Sequence, residues 1–386
     1  MKPTGNLLIG AHEIPATEGT LKALNPATNQ LIEPDLALGG VAQVDQVAIL
    51  ADEAFDAYSH TSLAERSAFL ERIADNLDAA STALAARASL ETGLPEAQLQ
   101  GEAAKAATQF RQFAAVVRKG RFLQLAIDPA QPERQPRPRM DHRLQKTAIG
   151  PAAIFGASNF PISYSVAGGD TASALAAGAT VVLKAQNAHP GTSEIQARAI
   201  RQAVQDSGLP EGVFSMVRGS GIAIGEALVD HGDLDGQSAL LEVDGQRFLS
   251  ETALAHEVFG PAALLVKVRD EAEMLAVARA LRGQLSAAMH LEAGDLGLAQ
   301  RLLPVLERRT GRIVVNAFAH PQEVSFATIH GGPFPASSDS RFTSVGMTSI
   351  ERFLRPVSYQ GFPDALLPEA LRDGNPLGVP RSVDGQ

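Results

Sequence analysis

Pro151-Ala152-Ala153-Ile154-Phe155-Gly156-Ala157-Ser158-Asn159-Phe160-Pro161 is the stretch around which the chain is organised. It predicts a short buried strand, a sharp turn and the start of a helix. Ile154 and Phe155 suit a covered, pleated strand. Gly156, Ala157 and Ser158 are small, so another molecule can approach the backbone closely. Pro161 fits the first turn of a helix, where its missing N–H costs nothing. Nucleotides bind at such strand-to-helix turns, at the carboxyl ends of α/β sheets. Spacing alone also fits an ordinary tight turn, because no full G-x-G-x-x-G is present.

Working outward from that turn, the chain reads as strand, helix, strand. A helix is expected over Ser163–Ala177, a β-branched strand over Thr180–Lys184, a helix over Pro190–Ser207, and a third strand over Val213–Val217. A helix starting at Gly221 should follow. This alternation argues for a right-handed parallel βαβ arrangement. Upstream, residues 7–33 alternate short apolar pieces with turn residues, a hairpin-like lead-in. Val44, Val47, Ala48, Ala51 and Phe55 have helical spacing, and Ser62-Leu63-Ala64-Glu65 has capping-box spacing before a helix ending near Gly93. Another helix should run from Pro95 to Lys119. Residues 128–139 hold four prolines and three arginines and read as a solvated surface connection.

After His231 the rhythm breaks. A fourth strand is due, but Gly232-Asp233-Leu234-Asp235-Gly236-Gln237 arrives instead. Strands at about 238–244 and 261–268, a helix over Glu271–Leu281, a strand over Leu285–His290, a helix to Arg309 and a strand over Gly311–Asn316 complete the pattern. The Pro- and Leu-rich tail from Pro356 should lie along a surface or a partner subunit.

Composition narrows the function. The chain has 386 residues, of which 45% are hydrophobic, so it can build a sizeable core. A net charge of -10, spread without a long acidic run, argues against nucleic acid as the main partner. No run of about 18 apolar residues suggests a membrane span, and no basic-then-apolar leader precedes the first hairpin, so a cytoplasmic location is expected. There is no cysteine. Disulfides, thiolate metal sites and thiol nucleophiles are therefore excluded together. His and Asp residues show no metal-ligand spacing.

Several motifs together resemble the aldehyde dehydrogenase superfamily. They are Asn159-Phe160-Pro161, Val182-Leu183-Lys184, Gly208 to Val213, Gly221 with Gly225, Glu257-Val258-Phe259-Gly260-Pro261, and Gly311 to Asn316. His189-Pro190-Gly191-Thr192-Ser193 and His330 to Pro335 are similar to its α-ketoglutarate semialdehyde (2,5-dioxovalerate) dehydrogenase branch. The resemblance implies an α/β fold: an incomplete Rossmann-like parallel sheet with flanking helices, a remnant of the catalytic domain, and oligomerisation strands. The implied division is a nucleotide-binding domain over 1–235 (with an oligomerisation strand near 140–150), a catalytic remnant over 236–330 and a C-terminal segment over 331–386.

The resemblance also implies NADP or NAD as cofactor. It assigns Asn159 as the oxyanion donor and Phe155, Gly156, Ala157, Ser158, Lys184, Asn187, Gly221, Gly225, Glu257 and Phe259 as cofactor contacts. Without the family motifs, Asn159 also reads as a helix cap, Lys184 as a solvated strand end and Phe259 as core. Asn187 stands where NAD-preferring relatives often carry Glu, and an amide does not repel a 2′-phosphate. The departure is as informative as the match. The family's F-T-G-S strand end, its general-base stretch and its cysteine nucleophile are absent, a gap of about a domain's worth of residues. Aldehyde oxidation by the family's route needs a thiolate to attack the carbonyl, so the expectation is an inactive relative with weak cofactor binding. Assembly with itself or with a full-length paralogue is the alternative, and a small aldehyde or keto acid would be a substrate only if activity survives. A strand that is central in the family's sheet, Ile154–Gly156, is expected to become an edge.

Overall fold

A computed structural model describes residues 2–219, 239–257, 262–319 and 323–386. The chain forms two compact units, Met1–Ser220 with Met347–Gln386, and Gly221–Gly346.

The first unit begins with two hairpins, β1 (Leu7–Ile9) with β2 (His12–Ile14) and β3 (Thr20–Asn25) with β4 (Gln30–Ala37). Helices α1 (Val41–Ser59), α2 (Leu63–Thr92) and α3 (Glu96–Lys119) follow. The expected capping box starts α2. The Ser62 hydroxyl accepts the Glu65 amide at 3.1 Å, and the Glu65 carboxylate accepts the Ser62 amide at 2.9 Å. Gly93 and Gly120 close α2 and α3 at φ of 71° and 64°, left-handed positions that favour glycine. Strands β5 (Leu125–Asp128) and β6 (His142–Ala148) flank the Pro-rich connection, whose one β-bridge among the described residues joins Gln131 and Arg139.

Next come β7 (Ala152–Phe155), α4 (Gly169–Ala177), β8 (Val181–Lys184), α5 (Pro190–Asp206) and β9 (Phe214–Val217). The three strands are parallel neighbours, as their rhythm predicts. Two features differ from the sequence reading. The helix expected from Ser163 begins only at Gly169, and Pro161–Gly168 is a series of turns. Its amides are satisfied from elsewhere: Ile162 and Ser163 donate to Glu102 Oε2 at 3.1 and 3.2 Å, and Ala167 donates to Gln196 Oε1 at 2.8 Å. Gly168 is extended, and a Cβ there would lie 2.9 Å from the Tyr164 Cα. The second difference is that the lead-in hairpin joins this sheet, with β1 antiparallel to β9, giving the order β2-β1-β9-β8-β7. Among the described residues β7 is therefore an edge strand, as the missing neighbour implied.

The second unit holds β10 (Ala239–Asp244), α6 (Gly245–Ser250), β11 (Ala262–Lys267), α7 (Glu271–Ala280), β12 (Gln284–Met289), α8 (Leu296–Glu307) and β13 (Thr310–Val315). Two-stranded parallel sheets form from β10 with β11 and from β12 with β13. Such pairs are marginal alone, and Leu240, Leu241 and Leu265 are exposed on the first of them.

The tail returns to the first unit. Strand β14 (Leu354–Gln360) pairs antiparallel with β6, and β15 (Arg381–Val383) pairs parallel with β5. Leu367, Ala370, Leu371 and Val379 bury themselves against Leu125 and Ile127. The tail is thus part of this unit's own packing. No helix among the described residues is long and apolar enough to cross a membrane.

Helix α5 is held at its start by a buried carboxylate from α2. Glu91 accepts the Gly191 amide at 2.9 Å, the Thr192 amide at 2.8 Å and the Thr192 hydroxyl at 2.7 Å. Glu91→Ala leaves these donors buried and unpaired. It should lower the unfolding free energy by about 2–4 kcal/mol, read as a reduced urea midpoint. Glu91→Gln keeps one acceptor oxygen and should lose less. A midpoint unchanged by Glu91→Ala would contradict the role.

Candidate functional site

The carboxyl ends of β7, β8 and β9 lie at one level, with Phe155 paired to Lys184 and Lys184 to Val217. Hydrogen bonds continue past the strands. The Gly156 amide donates to the Lys184 carbonyl at 3.2 Å, and the Ala185 amide to the Val217 carbonyl at 2.9 Å. Asn187 Nδ2 donates to the Gly219 carbonyl at 3.0 Å. Three loops are thereby held side by side at the end of the sheet where α/β proteins bind ligands.

Polar groups at this end are left for a ligand. Asn187 Oδ1 is buried without a hydrogen-bond partner, as is the Ser165 hydroxyl. A Cβ on Gly156 would come within 3.1 Å of that hydroxyl, so glycine keeps the space beside it. Lys184 is half-buried, and its ammonium forms no ion pair or hydrogen bond among the described residues. Burial pulls its ammonium below the ordinary lysine range. Phe155 is 73% exposed. Ala157 is half-buried, and its amide donates to the Tyr164 carbonyl at 3.1 Å.

Ser158 and Asn159 follow in the same loop, both exposed. Asn159 does not cap a helix, since α4 starts ten residues later at Gly169. Its side chain makes no hydrogen bond among the described residues, which leaves the amide available. Phe155, Gly156, Ala157, Lys184 and Asn187 are brought together. Glu257 is exposed in the second unit. Gly221, Gly225 and Phe259 lie outside the described residues, as does His231.

Two pieces of machinery were not assigned a role from sequence. His189 is fully buried, and its Nε2 lies 3.2 Å from the Ala157 carbonyl, tying the turn after β7 to the start of α5. Burial, only partly offset by Glu91 and nearby backbone, depresses its pKa, so the ring is held neutral. Glu91 and Glu102 occupy the amides at Gly191–Thr192 and Ile162–Ser163, so these are not open to a phosphate. The one sequence signal for His189 was its place in the His-Pro-Gly-Thr-Ser stretch. The two glutamates sit among helical surface spacings and gave none.

A parallel strand–helix sheet with its unpaired polar groups at the carboxyl ends defines a Rossmann-like nucleotide-binding module. The aldehyde dehydrogenase family model matches residues 14–239, more than half of the chain, and the chain belongs to that family of oxidoreductases. It is 41% identical to α-ketoglutaric semialdehyde dehydrogenase 2 of Azospirillum brasilense over 523 aligned positions, which cover all of both chains. It is 33% identical to α-ketoglutaric semialdehyde dehydrogenase of Acinetobacter baylyi over 518 positions, 99% of this chain and 98% of the other. The 523 positions exceed the chain's 386 residues by 137. Because that alignment reaches both ends of both chains, the unmatched positions are internal.

Solved structures agree on the fold. Aldehyde dehydrogenase 21 from Physcomitrella patens, in complex with the reaction product succinate, superposes with a TM-score of 0.72 at 15% identity, over 93% of this chain and 98% of that one. PnpE in complex with nicotinamide adenine dinucleotide gives 0.70 at 19% identity, over 93% and 97%.

Proposed function

We propose that this chain is a nucleotide-binding relative of the α-ketoglutarate semialdehyde dehydrogenases that does not carry out their oxidation of 2,5-dioxovalerate to 2-oxoglutarate. The absence of cysteine carries this reading. Without a thiolate there is no attack on the aldehyde carbonyl, and Asn159, the oxyanion donor by resemblance, has no oxyanion to stabilise. The 137 unmatched positions support a missing nucleophile and base segment. A serine does not take over. Ser158 is exposed in the turn, but the nearby His189 is buried with its Nε2 directed at the Ala157 carbonyl, so it is not a free base. A cytoplasmic location belongs to the same reading. Purified protein should show no reduction of NAD or NADP with 2,5-dioxovalerate, several orders of magnitude below an intact relative. Turnover within about tenfold of that relative would overturn the reading.

The family's nicotinamide dinucleotide, which accepts a hydride when bound, fits the residues that remain. Lys184 would hold the adenosine ribose hydroxyls, and the small turn Phe155, Gly156, Ala157 and Ser158 would let the cofactor approach. Asn187 would line the same end and tolerate NADP as well as NAD. Gly221, Gly225, Glu257 and Phe259 complete the proposed contacts. Binding should be weak, because Glu91 and Glu102 already fill main-chain donors within the module. Calorimetry should give a Kd for NADP weaker than about 100 µM, weakened further by Lys184→Ala. Tight binding indifferent to that substitution would place the site elsewhere.

A second reading, assembly with itself or with a full-length paralogue, is favoured by β7. Its residues Ala152–Phe155 include no charge, Ala153 and Phe155 face solvent, and among the described residues the strand ends the sheet. An uncovered apolar edge invites another strand. Light scattering should then report a homo-oligomer. A stable monomer of 40.5 kDa that remains soluble on warming would rule out assembly with itself.

A further inference from the structure

The second unit contains a cavity unrelated to the ends of β7–β9. Arg279, Arg301, Pro304, Val305, Arg308 and Arg309 line about 380 Å³ beside α7 and α8. That volume lies at the lower end of the range for small-molecule pockets, roughly 300–1,000 Å³. Arg301, Pro304, Val305 and Arg308 follow helical spacing, so one face of α8 supplies two arginines above an apolar floor.

The four guanidinium groups differ in how they are held. Arg301 pairs with Glu271 at 2.5 Å, and Arg309 Nη2 donates to the Arg279 carbonyl at 2.6 Å. The guanidinium groups of Arg279 and Arg308 form no hydrogen bond or ion pair among the described residues. Four like charges thus surround one cavity with Glu271 as their one carboxylate partner among the described residues, in a chain whose net charge is -10. Helix dipoles explain part of this, since Arg279 lies in the last turn of α7 and Arg308 caps α8. They do not explain Arg301, two turns back from the end of α8, or Arg309.

We propose that this cavity binds a small phosphate-bearing ligand. Guanidinium forks donate in pairs to anionic oxygens. A planar carboxylate accepts such forks near its own plane, whereas a tetrahedral phosphoryl group offers oxygens in several directions, which suits arginines arriving from two helices and the turn after them. Two arms are pre-positioned by protein contacts, and two await a partner.

Calorimetry of the full chain with sodium pyrophosphate, at ionic strength fixed with sodium chloride, should show one saturable site with a Kd below about 1 mM. The double variant Arg279→Ala, Arg308→Ala removes two side chains without protein partners, so its melting temperature should stay the same while affinity falls about tenfold or more. Lys184→Ala and saturating NADP should leave pyrophosphate binding unchanged, which separates this site from the proposed nucleotide site. Citrate should bind at least about tenfold more weakly than pyrophosphate. Absence of saturable binding, indifference to the double variant, competition by NADP or equal affinity for citrate would each overturn the proposal.

Discussion

Three buried carboxylates hold the first unit together where regular structure fails to do so. Glu91 takes the first amides of α5, Glu102 takes those of Ile162 and Ser163, and Glu194 takes the amides of Thr4 and Gly5 at 2.7 and 3.0 Å. Each serves a segment whose main-chain donors have no strand or helix partner, and a buried amide left unpaired is costly. Glu194 is also the acid of a fully buried ion pair with Arg218, at 3.4 Å. Arg218 in turn donates to the carbonyls of Gly5 and Asn6 at 2.7 and 2.6 Å. Through this chain of contacts the segment leading into β1, helix α5 and the residue that follows β9 become one body. The loops at the ends of β7 and β8 inherit their positions from it.

The regular elements were readable because their signals are local. The Ser62 capping box, the closing glycines at 93 and 120, and the strand-to-helix alternation all declare themselves within a few residues. The turns over Pro161–Gly168 were not readable. Their acceptors, Glu102 and Gln196, lie on α3 and α5, far along the chain, and nothing local distinguishes a glutamate that caps a distant loop from one that faces water. The pairing of β1 with β9 was hidden for the same reason. Gly156, Lys184 and Asn187, singled out by the family motifs, lie together at the strand ends, while the unpaired Asn187 Oδ1 and the tying role of His189 emerge only from the packing.

The site and the sequence sheet are in different states of completeness. The ends of β7, β8 and β9 keep close backbone approach and unpartnered polar atoms side by side. Among the described residues the sheet beside them ends at β7, and the second unit holds two two-stranded parallel pairs.

The antiparallel pairing of β6 with β14 means that the polypeptide leaves the first unit and comes back to the same sheet. Residues Gly221–Gly346 are an insertion into that unit, and the strands β6 and β14 that bracket the βαβ module and the insertion meet in seven register pairs, from Ala148 with Leu354 to His142 with Gln360. Closing a loop grows costlier only with the logarithm of its length. Adding 137 positions to the 126 residues of Gly221–Gly346 would change that closure by only about 0.7 kcal/mol. The host unit is thus nearly indifferent to how much its insert contains.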